Sequence, residues 1–314
     1  MVEHSVEPSR SSSFVILSLS TAALTLGVIV FGAVVRVTES GLGCGTDWPL
    51  CNGTIFPPLD NITAWIEWLH RLFALLIGFF GLATLAAAWR QYRARNRRVL
   101  QMTIWAAMLF LVQSALGAIV VFLELPPTFV TLHLGVAMLL LAALLGAAVL
   151  AWRRPSEVAR PADSIPILAT VNAAMAFVVI LTGALARGSG ATLACTQWPL
   201  CDGGAILPFA QGQLAVINMI HRLSAGAMTV TLLILLRQVC RHRREPLIKR
   251  IALSAVFTHV IQIGAGALFV FSSAGREWGA IHVGLAATVW GLLASLAIME
   301  AINGRHPEVV PTKK

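Results

Sequence analysis

The sequence predicts an all-α integral membrane protein of eight transmembrane helices, arranged as two tandem four-helix bundles related by a pseudo-twofold axis along the membrane normal. Three observations lead there. Of the 314 residues, 57% are hydrophobic and 12% are charged, a balance that excludes a water-soluble domain. Eight apolar runs approach or exceed the ~20 residues needed to cross the hydrocarbon core as a helix. The motifs of the first half also return in the second half at a nearly constant offset.

The runs fall at 14–35, 65–89, 99–123, 129–152, 165–186, 214–236, 251–271 and 278–302. The first is too long for a signal-peptide core and no A-x-A-like site follows it, so it reads as a retained span. Tyr is nearly absent, and Trp65, Trp89, Trp152 and Trp278 take interfacial positions. The net charge of +9 sits in alternate loops. Arg90, Arg93, Arg95, Arg97 and Arg98 follow the second span. Arg153, Arg154 and Arg160 follow the fourth. Arg237, Arg241, Arg243, Arg244, Lys249 and Arg250 lie between the sixth and seventh. The remaining loops hold almost no Lys or Arg, Arg276 excepted. This positive-inside pattern puts both termini in the cytoplasm of a plasma-membrane protein and explains the basic charge without a nucleic-acid partner.

The repeat divides the chain. Trp48-Pro49-Leu50-Cys51 returns as Trp198-Pro199-Leu200-Cys201, and His70-Arg71 as His221-Arg222. Gln113-x-x-x-Gly117-Ala118 returns as Gln262-x-x-x-Gly266-Ala267, and Leu132-His133-Leu134-Gly135 as Ile281-His282-Val283-Gly284. Each half has four spans, an even number, so the halves insert in the same orientation, as parallel repeats do. The expected organisation is a tail at 1–13, halves at 14–152 and 165–302, a basic linker at 153–164 containing Pro155 and Pro161, and a tail at 303–314.

Four histidines carry the chemistry. His70, His133, His221 and His282 each fall five to eight residues into an inward-running span, roughly 8–12 Å below the outer boundary at 1.5 Å per residue. A single intramembrane His is usually a hydrogen-bonded packing residue. Four at one depth, in two repeat-related pairs, point instead to axial ligation of haem iron across a bundle. Mononuclear zinc or copper fits less well, because each pair lacks a third ligand. His4, His242 and His306 lie in polar segments without a role. His259 has Phe110 as its repeat counterpart and reads as a satisfied core histidine.

Around the histidines stand other polar groups. Glu67 precedes His70 by three residues and shares its helical face. Its counterpart is Asn218. Ionisable groups at that depth are costly and mark function, or else Glu67 pairs with Arg71. Arg71 and Arg222, with Arg36 and Arg187 at the ends of spans one and five, are candidates for haem propionates, because Arg matches carboxylate geometry. Snorkelling to lipid headgroups is the competing reading. The loop pairs Cys44/Cys51 and Cys195/Cys201 lie on the oxidising side, each within one short loop, so two local disulfides are expected, contributing roughly 2–3 kcal/mol each. A zinc site of the four thiolates has its spacing against it. Cys240 is expected to be a free thiol.

Together, Cys44…Trp48-Pro49-Leu50-Cys51, Glu67-x-x-His70-Arg71, His133, Cys195…Trp198-Pro199-Leu200-Cys201, His221-Arg222 and His282 resemble the haem A synthase family across nearly the whole chain. The branch resembled is the one with cysteine pairs in both halves. The resemblance implies that His221 and His282 hold a permanent haem b and that His70 and His133 receive the substrate haem O. It also implies that Glu67 is the catalytic carboxylate and that a ring methyl is oxidised through a hydroxylated intermediate to a formyl group. The product would serve terminal oxidases. Partners implied are the farnesyltransferase that makes haem O, a terminal oxidase assembly factor and an unidentified electron acceptor. Two other classes fit parts of the pattern: a di-haem b-type protein passing electrons from quinone, and a repeat-built transporter with proton-relaying histidines. The Glu67/Asn218 asymmetry favours the enzyme, since two equivalent electron-transfer haems would not require one carboxylate.

Overall fold

The computed structural model describes residues 12–153 and 163–303. Most of the expected tails and linker, with His4, Arg154, Arg160 and His306, lies outside them, while Ser12, Ser13 and Asn303 fall inside the terminal helices. Eight long helices follow in order: α1 Ser12–Val37, α2 Ile62–Tyr92, α3 Arg97–Phe122, α4 Pro127–Trp152, α5 Ile165–Gly188, α6 Gln213–His242, α7 Pro246–Phe271 and α8 Arg276–Asn303. All eight are long and apolar enough to cross a membrane, and no strand occurs among the described residues.

Several helices run past the apolar segments by a turn or more. Backbone hydrogen bonding does not stop at the hydrocarbon boundary, so a helix continues until a residue ends it. Asn61 accepts from the Ala64 N–H and caps α2, and Asn96 accepts from Arg98 N–H and caps α3. Proline opens α4, α5 and α7, where its missing N–H costs nothing. The tight turns after α3 and α7 use matched left-handed residues, Glu124-Leu125 and Ser273-Ala274.

Within the first half α1 packs on α2 and α4, and α3 packs on α2 and α4; the second half repeats this with α5 to α8. The halves meet through α1–α8, α4–α5 and α4–α8, a set unchanged when the halves are exchanged. One hydrophobic core crosses the junction, with Leu141, Leu144, Ile180, Leu293 and Leu296 in it. Trp290 donates its Nε1–H to the Met138 carbonyl at 2.8 Å, joining α8 to α4 inside it. Each half carries a polar tie between its first two helices. Thr21 meets Thr84 at 3.0 Å between α1 and α2, and Thr231 donates to Asn172 at 3.0 Å between α6 and α5. At the end away from the cysteine loops, buried Arg243 bonds Asp163 and Glu300, and Arg153 pairs with Glu245.

Candidate functional site: four histidines around one cavity

All four histidines line one cavity of about 1740 Å3, larger than the roughly 300–1000 Å3 of an ordinary small-molecule pocket. Each ring lies against a glycine of the preceding helix. A β-carbon built at Gly32, Gly117, Gly183 or Gly266 would stand 3.1, 3.2, 2.8 or 3.0 Å from Cε1 of His70, His133, His221 or His282. The glycines give the rings room to lie flat against the helix. Gly117 and Gly266 were visible as repeat matches, but Gly32 and Gly183 were not singled out. The signal was Gly32-Ala33-x-x-Arg36 returning as Gly183-Ala184-x-x-Arg187.

The two pairs differ in how their nitrogens are used. His282 Nδ1 donates to the Gln262 carbonyl at 2.9 Å. His221 Nδ1 lies 3.2 Å from Thr182 Oγ1, whose own hydrogen goes to the Val179 carbonyl, so the imidazole is the donor there too. Both bonds fix the tautomer with a bare Nε2, as outer partners do for ligating histidines. The two rings are 6.3 Å apart, centroid to centroid, at 78°. Two metal–nitrogen bonds of about 2 Å and two ring radii come to roughly that span. In the N-terminal half, His70 Nδ1 and His133 Nδ1 are buried without partners. The Gln113 carbonyl, counterpart of Gln262, lies near the His133 ring but outside hydrogen-bond geometry. His133 Nε2 instead meets Gln113 Nε2 at 3.1 Å, and Gln113 Oε1 is left buried and unbonded.

Glu67 is almost wholly buried and lines the cavity. Its Oε2 accepts the Cys44 N–H at 2.9 Å, and its Oε1 pairs with Arg71. Arg71 also donates to the Asp47 and Leu50 carbonyls at 2.9 and 2.8 Å. The first cysteine loop is therefore stapled to α2 by a carboxylate and a guanidinium together. The Trp68 and Trp65 N–H groups add bonds to the Ile55 and Pro58 carbonyls. In the second half, Asn218 donates to Ala191 and Thr192, and Arg222 to Gln197, Leu200 and Cys195. The Glu67/Asn218 pair thus keeps one task, holding the loop, with opposite hydrogen-bonding sense. Both loops are closed by disulfides, Cys44–Cys51 and Cys195–Cys201, and Cys240 is free.

The four arginines separate. Arg71 and Arg222 spend their donors on loop carbonyls. Arg36 and Arg187 line the cavity with no hydrogen-bond or ion-pair partner among the described residues, and Arg187 Nε is buried. The expectation for His259 needs correction. It is buried and bonds Thr229 through Nε2 at 3.0 Å, but its Nδ1 has no partner, so the ring is half satisfied. Gln262 stands beside it without hydrogen-bond geometry. Among the described residues no three His, Cys, Asp or Glu groups converge as a metal site. Each histidine pair offers two imidazoles and no third side chain of that set.

Residues 15–294 match the model of the cytochrome oxidase assembly protein family, COX15-CtaA. The chain belongs to this family. Its relatives include a "Heme A synthase" of Symbiobacterium thermophilum, 32% identical over 94% of this chain and 97% of the relative. Proteins of the same name from an Exiguobacterium species and from Geobacillus kaustophilus are each 29% identical over at least 90% of both chains. Family membership makes the eight-helix architecture that of a multi-pass membrane protein and covers both histidine pairs of this chain.

Proposed function

We propose that this chain is a haem A synthase, oxidising a ring methyl of haem O to a formyl group, with a permanent haem b in its C-terminal half. The observation that carries the division of labour is the unequal wiring of the two histidine pairs. His221 and His282 are held by bonds at Nδ1 and present bare Nε2 atoms, which suits a resident group. His70 and His133 hold buried, unpartnered nitrogens, as a site does that fills and empties. The glycine cradles and the cavity volume fit two macrocycles. Haem b held by His221 and His282 would supply one-electron redox chemistry, with an external acceptor taking the four electrons lost as a methyl becomes a formyl group.

The rest is done by this chain's own residues. His70 and His133 bind and orient the substrate iron. The apolar walls, among them Ile77, Phe110 and Val120, keep water from the porphyrin face. Glu67 is held at both oxygens, yet each keeps a second lone pair and can accept a proton lost as the methyl is oxidised. The two halves are read as related by a pseudo-twofold axis along the membrane normal, since the same helix pairs touch in each. The basic ends of α2, α4 and α6 support a topology with both termini in the cytoplasm and the disulfide loops outside. The farnesyltransferase supplying haem O and an oxidase assembly factor are the partners this reaction implies.

The test is pigment analysis of protein co-produced with a haem O source. His221→Ala or His282→Ala is expected to lose haem b. His70→Ala or His133→Ala is expected to keep haem b and form no haem A. Equal loss of one pigment in all four variants would overturn the division. Haem b alone in the wild type, with no haem A formed, would leave the electron-transfer reading standing.

A further inference from the structure

Arg36 closes the last turn of α1 and Arg187 the last turn of α5. Each belongs to one half but sits where that half touches the other. Val37, next to Arg36, packs on Gly279 of α8, three residues before His282; a β-carbon at Gly279 would meet Val37 at 3.0 Å. Gly188, next to Arg187, packs on Pro127 at the start of α4, six residues before His133; a β-carbon there would meet Pro127 at 2.8 Å. Both guanidiniums face the common cavity, and they are close enough for their charges to act on each other. Glu39, one turn on in the chain, acts on Arg36 by charge but makes no ion pair with it. Two part-buried cations that line one cavity without hydrogen-bond or ion-pair partners suit an anion, and planar guanidinium suits carboxylates.

We infer that Arg36 and Arg187 form one shared carboxylate site at the junction of the halves, where each arginine serves the haem ligated by the opposite half as well as its own. This rests on the two-haem reading above. It makes the junction a place where the charge state of one macrocycle is felt by the other. The helix-dipole reading, in which each Arg merely complements its own helix C-terminus, predicts no crossing of effects between halves.

The test is a redox titration of haem b in purified full-length protein, wild type against Arg36→Gln and Arg36→Lys. A cation near the iron favours the reduced form, so its loss lowers the midpoint. Arg36→Gln, although in the half that does not ligate haem b, is expected to lower it by about tenfold in relative affinity, ~59 mV for one electron. Arg36→Lys is expected to keep most of the wild-type value. Loss of haem b from Arg36→Gln with retention in Arg36→Lys supports the same site. A wild-type midpoint in Arg36→Gln, or loss of haem b from both variants, would sink the shared site while leaving the two-haem reading intact. Wild-type protein without haem b, or His221→Ala retaining it, would instead remove the reading on which the site rests.

Discussion

At the residue scale, Glu67 is the position whose meaning shifts most between sequence and structure. Its spacing from His70 placed it on the ligand's face, and it does line the cavity. Both oxygens are nevertheless engaged, one by the Cys44 N–H and one by Arg71. Asn218 holds the other loop from the equivalent place by donating rather than accepting. An amide is therefore compatible with an intact loop and an intact histidine pair in this architecture. Glu67→Gln is expected to keep haem b and the fold and to lower haem A formation by about 100-fold or more, the usual scale for losing a general base. A chromatogram of extracted haems decides it: wild-type haem A would reduce Glu67 to a loop staple.

At the element scale, each histidine depends on the helix before it. α5 reaches His221 and α7 reaches His282 only because Gly183 and Gly266 lack a β-carbon. Gly183 is the tightest of the four, with an ideal Cβ 2.8 Å from Cε1. Gly183→Val is expected to displace the ring and strip haem b, costing about 1–3 kcal/mol as overpacking does. Gly32→Val is expected to leave haem b in place and abolish haem A, because it crowds His70 instead. Haem b content by pyridine haemochrome, read beside the haem chromatogram, separates the two. Loss of haem b from Gly32→Val would show that the cradles do not act half by half.

At the scale of the whole molecule, the end opposite the cysteine loops is tied by ions. Arg243 bridges Asp163, which precedes α5, and Glu300 of α8. Its hydrogen bond holds the Asp163 carboxyl below its ordinary value, and burial opposes this only in part. A carboxyl with a depressed folded pKa stabilises fully above its unfolded value and loses that contribution as pH falls through the folded one. Wild-type protein in detergent is therefore expected to lose melting temperature as pH drops below about 4. Arg243→Met breaks the buried bonds from Arg243 to Asp163 and Glu300 and is expected to destabilise the fold by about 3 kcal/mol at neutral pH. It is also expected to flatten that acid limb. Parallel melting curves for the two proteins across the pH range would show that the network contributes no pH-linked stability.

Much of this was legible in order along the chain. Span number, helix identity and the repeat-related placement of the four histidines followed from hydropathy and from a repeat offset near 150 residues. They are local or periodic properties, and a membrane removes most alternatives by forcing backbone groups to bond within each segment. Which arginine does what was not legible. Arg36, Arg71, Arg187 and Arg222 have the same chemistry and line one cavity, and only the folded loops show that Arg71 and Arg222 are consumed by carbonyls of residues 21 to 27 positions away. The same holds for the ring nitrogens. Whether Nδ1 of a histidine meets Gln262, Thr182 or nothing depends on how two helices cross, and a crossing is set by side chains from both, so one helix's sequence does not contain it.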